Sequence, residues 1–227
     1  MTVLHLTDDT EAADLAAFLS RLLHYDRGAA VRLQAAGTAL AVFGRPPSFE
    51  VLAVRAVRLA KPYENGLDVT LDVTVSAGEL LESVDETAAT AVVPAAVTGP
   101  PWAGVLPPRG GWQPEPGLPR ADDLRATVVA AVTEFRTRSG ELAPEERTRA
   151  GLDLIGREIW SRTVGQTRLP VRALHAAQSL GFLRSRVAAG EGELALFSSG
   201  SWLRLRTPYG SIAVRQAGLG TLGVSVR

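Results

Sequence analysis

The apolar residues between positions 9 and 24 recur at the spacing of an amphipathic helix. Those on the shared face are Leu15, Phe18, Leu19 and Leu22. Intervals of three and four residues keep side chains on one face of an α-helix, where they pack against a core. Thr7, Asp8 and Asp9 precede this face, and short polar side chains of this kind cap helix N-termini. The pattern predicts a helix over residues 9–24.

Apolar runs and strict alternation further along the chain predict strands. Residues 29–35, 38–43 and 49–60 are apolar runs, and Gly37 between the first two can take the positive φ of a hairpin turn. Over residues 67–76 apolar and polar side chains alternate, as in an antiparallel strand with one buried face. The apolar set of this strand is Leu67, Val69, Leu71, Val73 and Val75. The first part of the chain is therefore predicted to be mostly sheet.

Helix signals return in the second half of the chain. Predicted helices begin near Asp122, Pro144 and Pro170, because acidic residues and proline favour the first turn of a helix. Three short strands follow, predicted at residues 193–197, 202–206 and 211–215. A helical stretch that leads into a small β-meander is therefore expected.

Between these regions, residues 99–119 (GPPWAGVLPPRGGWQPEPGLP) contain seven of the fourteen prolines. Proline fixes φ and lacks a backbone donor, so this segment is predicted to contain neither a helix nor a central strand. Trp102, Leu106 and Trp112 are large apolar side chains that a flexible linker does not need. The pattern favours an ordered segment that crosses the protein, which we call the strap.

The two halves of the sequence resemble each other. Residues 33–55 can be superposed on residues 196–215, with a glycine turn, a proline turn and a closing Ala-Val-Arg in register. The similarity suggests a duplicated helix-plus-three-strand unit, whose copies bury one another's sheet faces about a pseudo-twofold axis. Alternatively, any two hairpins rich in Ala, Leu and Val align this well.

These patterns together predict an α+β protein. Antiparallel sheets are expected in both an N-terminal half, residues 1–98, and a C-terminal half, residues 121–227, with the strap at residues 99–120 between them. The middle of the chain is expected to be helical. A single composite domain is the alternative to two separate ones.

Composition narrows the function classes. The 24 basic and 24 acidic residues cancel, so no overall field attracts the chain to nucleic acid or anionic lipid. Without cysteine there is no disulfide, thiol nucleophile or cysteine metal site. No signal peptide or membrane-spanning run is recognisable, so we expect a cytoplasmic protein without membrane contact. Lys61 is the only lysine among many arginines, which suggests a GC-rich genome.

No catalytic motif stands out in the sequence. The only histidines are His5, His24 and His175. None has the spacing of a metal site, and the loose AGLGTLG motif at residues 217–223 follows no strand-to-helix unit. We therefore predict no catalytic residue, no cofactor and no metal. An acid/base site built from scattered carboxylates, such as Asp153 and Glu158, stays open.

The strap offers one candidate binding surface. Trp102, Arg109 and Trp112 would form an aromatic and guanidinium surface for a partner peptide. The other interpretation is that both tryptophans fill the seam between the halves, because a buried aromatic ring contributes more stability than an exposed one.

An arginine-rich strand offers a second surface. Arg204 and Arg206 alternate with leucines, and Arg215 lies on the adjoining strand, so the three guanidinium groups would share one sheet face. Such a face suits a phosphate or an acidic partner. The alternative is a solvated face, with these arginines paired to Asp68 and Asp72.

A winged helix is a further alternative. A helix near residues 171–180 followed by a glycine-containing turn and a strand is typical of that DNA-binding motif. Its recognition residues would be Arg168, Arg172, His175 and Gln178. The zero net charge and the extra hairpin after the motif weigh against it.

Two segments, GPPWAGVLPPRGGW and WLRLRTPYGS, resemble conserved hypothetical proteins of actinobacteria. The resemblance implies an uncharacterised cytoplasmic protein and brings no activity, cofactor or catalytic residue. The leading hypothesis is a non-catalytic protein-binding or regulatory protein, whose partner is another protein or a second copy of itself. The alternatives are a winged-helix DNA-binding regulator and an enzyme with a pocket between the two halves.

Overall fold

A computed structural model describes residues 2–184 and 194–216 of the chain. These residues form five α-helices and eleven strands. The helices are α1 (Asp9–Tyr25), α2 (Ala77–Glu82), α3 (Ala121–Glu141), α4 (Arg149–Ser161) and α5 (Val171–Ser179). The strands are β1 (Val3–His5), β2 (Ala30–Ala36), β3 (Ala39–Gly44), β4 (Leu52–Arg58), β5 (Thr70–Ser76), β6 (Val84–Asp85), β7 (Thr90–Val92), β8 (Gln113–Glu115), β9 (Ala195–Ser199), β10 (Trp202–Thr207) and β11 (Gly210–Arg215).

The strands form two antiparallel sheets, which confirms the predicted α+β class. The smaller sheet has the order β1-β7-β6, and the larger one has the order β5-β2-β3-β4-β11-β10-β9-β8. β4 belongs to the N-terminal half and β11 to the C-terminal half, and they pair through Leu52 with Ala213 and Ala53 with Ile212. One large sheet is therefore shared by both halves of the chain.

The helices cover one face of this sheet. Alternate strand side chains point to the helical layer, and Leu33 on β2 and Leu205 on β10 are fully buried there. The predicted apolar face of α1 is buried in the same core through Leu15, Phe18, Leu19 and Leu22. α1 contacts β4 and α5 contacts β11, while α3 and α4 pack on α5. Burial of apolar surface against a common layer therefore positions the central strands.

The strand order is palindromic about the contact between β4 and β11. β2, β3 and β4 follow α1 in the chain, and β9, β10 and β11 follow α5, so a helix-plus-three-strand unit occurs twice. Superposing residues 33–55 on residues 196–215 exchanges two of the three pairs that join β4 to β11, Leu52 with Ala213 and Ala53 with Ile212. The arrangement is the one expected of a pseudo-twofold axis through the sheet. A common origin of the two units stays a prediction.

The two units join edge to edge, whereas the sequence suggested that they stack face to face. α1 and α5 already cover the apolar face of each unit, so the sheet faces are not free to pack on each other. Each unit instead leaves the backbone of its last strand unpaired on one side. Pairing β4 with β11 satisfies those backbone donors and acceptors.

The strap crosses the sheet on the face opposite the helices. It contains a 3₁₀ turn at Pro101–Gly104 and the short edge strand β8, which pairs with β9. Pro114 lies within β8, and an edge strand tolerates proline because one of its sides needs no donor. Trp102 and Leu106 pack on the sheet beside Trp202. The strap is thus held by apolar contacts along its first part and by strand pairing near its end.

Two predicted boundaries are wrong. α4 begins at Arg149 and not near Pro144, because the Thr148 hydroxyl accepts a hydrogen bond from the Gly151 N–H at 3.2 Å and caps the helix there. Leu67 and Val69 are 101% and 63% exposed, because the chain turns between Asn65 and Asp68 and the strand begins only after them.

The sequence pattern did not predict three of the strands, and one predicted strand extends beyond the described residues. β1, β6 and β7 have three residues or fewer, which is too short for alternation to be recognised. The strand predicted over residues 193–197 corresponds to β9, although Glu193 lies outside the described residues.

A cluster of charged side chains connects the halves on the helical side of the sheet. We call Glu11, Asp14 and Arg55 the buried charge cluster, and the more exposed Arg58 and Arg184 pair with its carboxylates from the surface. Arg55 is 6% exposed, and its Nη2 lies 2.8 Å from Glu11 Oε2 and 3.4 Å from Asp14 Oδ2. Its Nη1 donates to the Tyr209 carbonyl at 2.9 Å, across the boundary between the halves. Buried charges are tolerated only when they are paired, so these contacts depend on one another.

The buried charge cluster predicts a large effect for Glu11→Ala. The substitution removes the carboxylate that accepts from both Arg55 and Arg58, and leaves Arg55 buried with a single, more distant carboxylate. We expect a loss of about 3 kcal/mol in the free energy of unfolding, measured by urea denaturation. Asp9→Ala, an exposed position on the same helix, is the control and should cost less than about 1 kcal/mol. Equal stability of the two variants would contradict this account.

Candidate functional site

A cavity of about 470 Å³ lies between the strap and the large sheet, and we call it the strap groove. Strands of both halves form its walls, and residues 107–109 of the strap cover it. Its lining includes Gln34, Ala41, Ala56, Asp72, Arg109 and Arg204. The groove therefore exists only where the two halves and the strap come together.

The floor of the groove is made of small side chains. Ala41 on β3 and Ala56 on β4 are direct cross-strand partners, and Ala213 on β11 lies on the same face. Beside this floor, large side chains of the strap and the sheet pack together, with Trp102 and Trp202 among them. An alanine extends only one methyl group above the sheet, so the strap cannot fill the space over it. The contrast between the alanine floor and its bulky neighbours creates the cavity.

Arg204 on β10 lines one end of the groove without a counter-ion. Among residues 2–184 and 194–216 it forms no ion pair, and its Nε is buried without a hydrogen-bond partner. Its guanidinium carbon lies 5.8 Å from the centroid of the Trp112 ring. Burial, and then the like charge of Arg206, lower the pKa of Arg204. Both effects disfavour a cation, so this side chain is positioned at a cost in free energy.

Asp72 on β5 lines the opposite end of the groove and is already paired. Its carboxylate accepts from Arg32 Nε at 2.7 Å and Nη2 at 2.8 Å, and from Gln34 at 3.0 Å. The hydrogen bond from Arg32 is the main reason that the pKa of Asp72 is lowered, and the nearby charge of Arg109 acts in the same direction. Asp72 is therefore neutralised by Arg32, and the charge of Arg109 adds to an excess of positive charge around the groove.

The other predicted binding residues lie on the same face of the sheet. Arg206 extends over the Phe197 ring at 4.9 Å, and Arg215 is exposed opposite Trp202. Arg204 and Arg206 are thus on one face, as their alternation predicts. The suggested pairing of these arginines with Asp72 is wrong, because that carboxylate is ion-paired with Arg32 on the adjacent strand β2.

Of the two strap tryptophans, one fills the seam between the halves and the other lies near the candidate binding surface. Trp102 packs in the apolar cluster on the sheet, as a ring that fills the seam would. Trp112 is half-buried near Arg204, and its Nε1 donates to the Pro108 carbonyl at 3.0 Å. Trp112 therefore lies close enough to the groove to respond to a change there.

The residues proposed for DNA recognition contact different parts of the protein. Arg168, which precedes α5, pairs with Glu115 of β8 at 2.6 Å. Arg172 lies 3.8 Å from Glu50, which belongs to the loop before β4. Arg168 is therefore hydrogen-bonded to a carboxylate of this chain, and Arg172 lies within ion-pair distance of another, although its Nε has no hydrogen-bond partner among the described residues.

His175 is packed among aromatic rings. Its ring stacks on Trp160 at 4.5 Å and meets Phe49 edge-on at 5.1 Å, and burial lowers its pKa. Gln178 is exposed. The structure does not bring the four residues together on a free helix face of the kind that a DNA groove accepts.

The carboxylates left open by the sequence do not form a site. Glu158 accepts from Arg138 at 2.7 Å and from Arg162 at 2.9 Å, and these bonds lower its pKa to about 2. Asp153 lies 3.9 Å from Arg149 on the exposed side of α4. Within the described ranges, no group of three His, Asp or Glu side chains could hold a metal ion. The AGLGTLG motif lies outside those ranges.

The alternation predicts the arginines of this face, and a pocket between the halves was one of the alternatives, but the sequence pattern did not locate the groove on this face or under the strap. The signal was present in the alternation, because Ala39 and Ala41 occupy one face of β3 and Ala56 the same face of β4. Small residues at alternate positions of neighbouring strands leave space on that face. Recognising it requires the register between strands, which the sequence alone does not supply.

Glu158 predicts a dependence of stability on pH. Because its pKa falls from 4.5 to about 2 on folding, its contribution is complete above pH 4.5 and is lost as the pH falls towards 2. The difference in melting temperature between the native chain and Glu158→Gln should therefore shrink over that interval. Glu145→Gln, at an exposed turn position, is the control and should show no such trend. A constant difference for Glu158→Gln would show that the ion pairs add nothing.

Comparison with known proteins divides the chain at the strap. Residues 1–104 match a domain of unknown function, DUF8010, and residues 107–219 match a second domain of unknown function, DUF8185. No curated protein matches the chain. None of the helices in the described ranges is long and apolar enough to cross a membrane. The boundary between the two matches, residues 105–106, lies within the strap. The actinobacterial source and the cytoplasmic location stay predictions.

Proposed function

We propose that this chain is a non-catalytic regulatory protein that binds an acidic ligand in the strap groove. The observation that carries the proposal is the Arg204 guanidinium, which lines the groove without a counter-ion in the described residues. Desolvating a cation costs free energy unless an anion compensates for it. A carboxylate or a phosphate in the groove would supply the missing hydrogen-bond acceptor.

The chemistry of the lining supports binding more than turnover. Asp72 is held as a carboxylate by Arg32 and Gln34, and its lowered pKa makes it a poor proton donor near neutral pH. Arg109 and Arg204 are always charged, so they recognise anions and do not exchange protons. These groups are suited to holding an ion in place.

The position of the groove supports a regulatory role. Its walls come from β2 to β5 on one side and from β10 and β11 on the other, with residues 107–109 above them. A ligand in the groove would contact both halves and the strap, so its binding energy would be coupled to the contact between β4 and β11. A bound ligand would then raise the free energy of unfolding of both halves together.

The partner expected from the sequence, another protein or a second copy of this chain, fits the same proposal when it presents an acidic group. Arg206 and Arg215 are exposed on the strap face and would attract an acidic protein surface. We therefore propose that the groove recognises a carboxylate or phosphate, and that the exposed arginines favour its approach.

Arg204→Gln tests the proposal by thermal unfolding. In phosphate the melting temperature of the native chain should rise above its value in chloride at the same ionic strength, because phosphate binds only the folded groove. The rise should be lost in Arg204→Gln and kept in Arg136→Gln, which removes an exposed arginine of α3 that does not line the groove. Without anions other than chloride, Arg204→Gln should be as stable as the native chain or more stable, since no ion pair is lost.

The same rise in all three proteins would show a general salt effect and would refute the proposal. The absence of any rise in the native chain would refute it as well.

A further inference from the structure

The length and volume of the strap groove restrict the size and shape of its ligand. β5 and β10 are the outermost sheet strands that line the groove, with four strands between them. At a spacing of about 4.8 Å, their backbones lie about 24 Å apart. The groove is therefore elongated across the strands. Its 470 Å³ lies in the range of about 300–1,000 Å³ that is typical of small-molecule sites.

The polar groups lie at the two ends of this groove. Arg204 marks the β10 end, beside Ala213, its direct cross-strand partner. Asp72 and Gln34 mark the β5 end, where they are hydrogen-bonded to each other. Only the β10 end has a cation whose Nε is buried and lacks a hydrogen-bond partner among the described residues. Arg109, whose charge acts on Asp72 at the other end, is exposed to water. The two ends therefore differ in chemistry, and an acidic head group belongs at Arg204.

The middle of the groove is apolar. Ala41 and Ala56 form the floor and Pro107 and Pro108 the cover. None of these side chains has a polar atom, so a charged or strongly hydrated group would lose water there without compensation. An inorganic anion would use Arg204 and leave the middle of the groove empty. An apolar chain or ring would instead exchange water for contacts with methyl and methylene groups.

We infer that the strap groove takes a small, elongated organic acid, with its carboxylate or phosphate at Arg204 and its apolar body over Ala41 and Ala56. This inference rests on the proposed function and narrows it to one class of ligand. The Gln34 and Asp72 end can hydrogen-bond a polar group at the far end of such a molecule. An acidic segment of a protein would place charge only at Arg204 and could not thread its backbone between floor and strap without unpaired amides.

The test is isothermal titration calorimetry of the full chain with octanoate and octyl phosphate, compared with acetate. Octanoate should bind more than about tenfold more tightly than acetate, because its additional methylene groups become buried. Octanamide has nearly the same body without the charge and should bind at least about tenfold more weakly than octanoate. A stronger response to octyl phosphate than to octanoate would identify the head group as a phosphate.

Three variants separate the head group from the body. Arg204→Gln should weaken both octanoate and acetate, and the control Arg136→Gln, which removes an exposed arginine of α3, should weaken neither. Ala56→Leu fills the floor at an exposed position and should weaken octanoate by about tenfold while leaving acetate unchanged. If Ala56→Leu impairs folding, as judged by its melting temperature, Ala41→Leu on the paired strand replaces it.

The outcomes distinguish the inference from the proposed function. Equal affinity for octanoate and acetate, with both lost in Arg204→Gln, would overturn the organic acid and keep an anion site. Tighter binding of a hexaglutamate peptide than of octanoate, unaffected by Ala56→Leu, would overturn it in favour of a protein ligand. Anion binding that Arg204→Gln does not change would overturn both.

Discussion

The backbone pairing of β4 with β11 is the contact on which the rest of the structure depends. It joins strands from opposite halves in a register set by Leu52 with Ala213 and Ala53 with Ile212. On one side of the sheet it brings α1 and α5 into a common layer, and Arg55 within reach of the Tyr209 carbonyl. On the other side it places Ala56 and Ala213 on one floor. The core, the buried charge cluster and the strap groove thus have the same origin.

The two faces of the large sheet are used differently. The helical face is filled by Leu, Val and Phe side chains, and its buried arginine, Arg55, is paired with Glu11 and Asp14. The strap face combines an alanine floor with Arg204, which has no ion pair in the described residues and whose buried Nε has no hydrogen-bond partner there. Such a combination does not increase the stability of the fold, because the side chains around the cavity lose van der Waals contacts and the arginine has no anion to pair with. A face that gives up stability in this way is better explained by a ligand than by folding.

Local features of the fold could be predicted from the sequence, and features that depend on distant pairing could not. The spacing of Leu15 and Leu22 defines α1, and Gly37 defines the turn of the first hairpin, because both signals lie within a few residues. The alternation of Arg204 and Arg206 likewise places them on one face. The groove instead depends on which strands become neighbours. Arg32 reaches Asp72 forty residues away, and nothing in the sequence around either residue indicates that contact.

Hydrogen exchange of the full chain, measured peptide by peptide, tests the shared sheet most directly. If β4 and β11 join the halves into one cooperative unit, amides over residues 52–54 and 211–213 should be among the slowest to exchange. Their opening free energies should equal each other and the free energy of global unfolding measured by denaturant. Fast exchange of these amides, or two halves that open with separate free energies, would contradict the account.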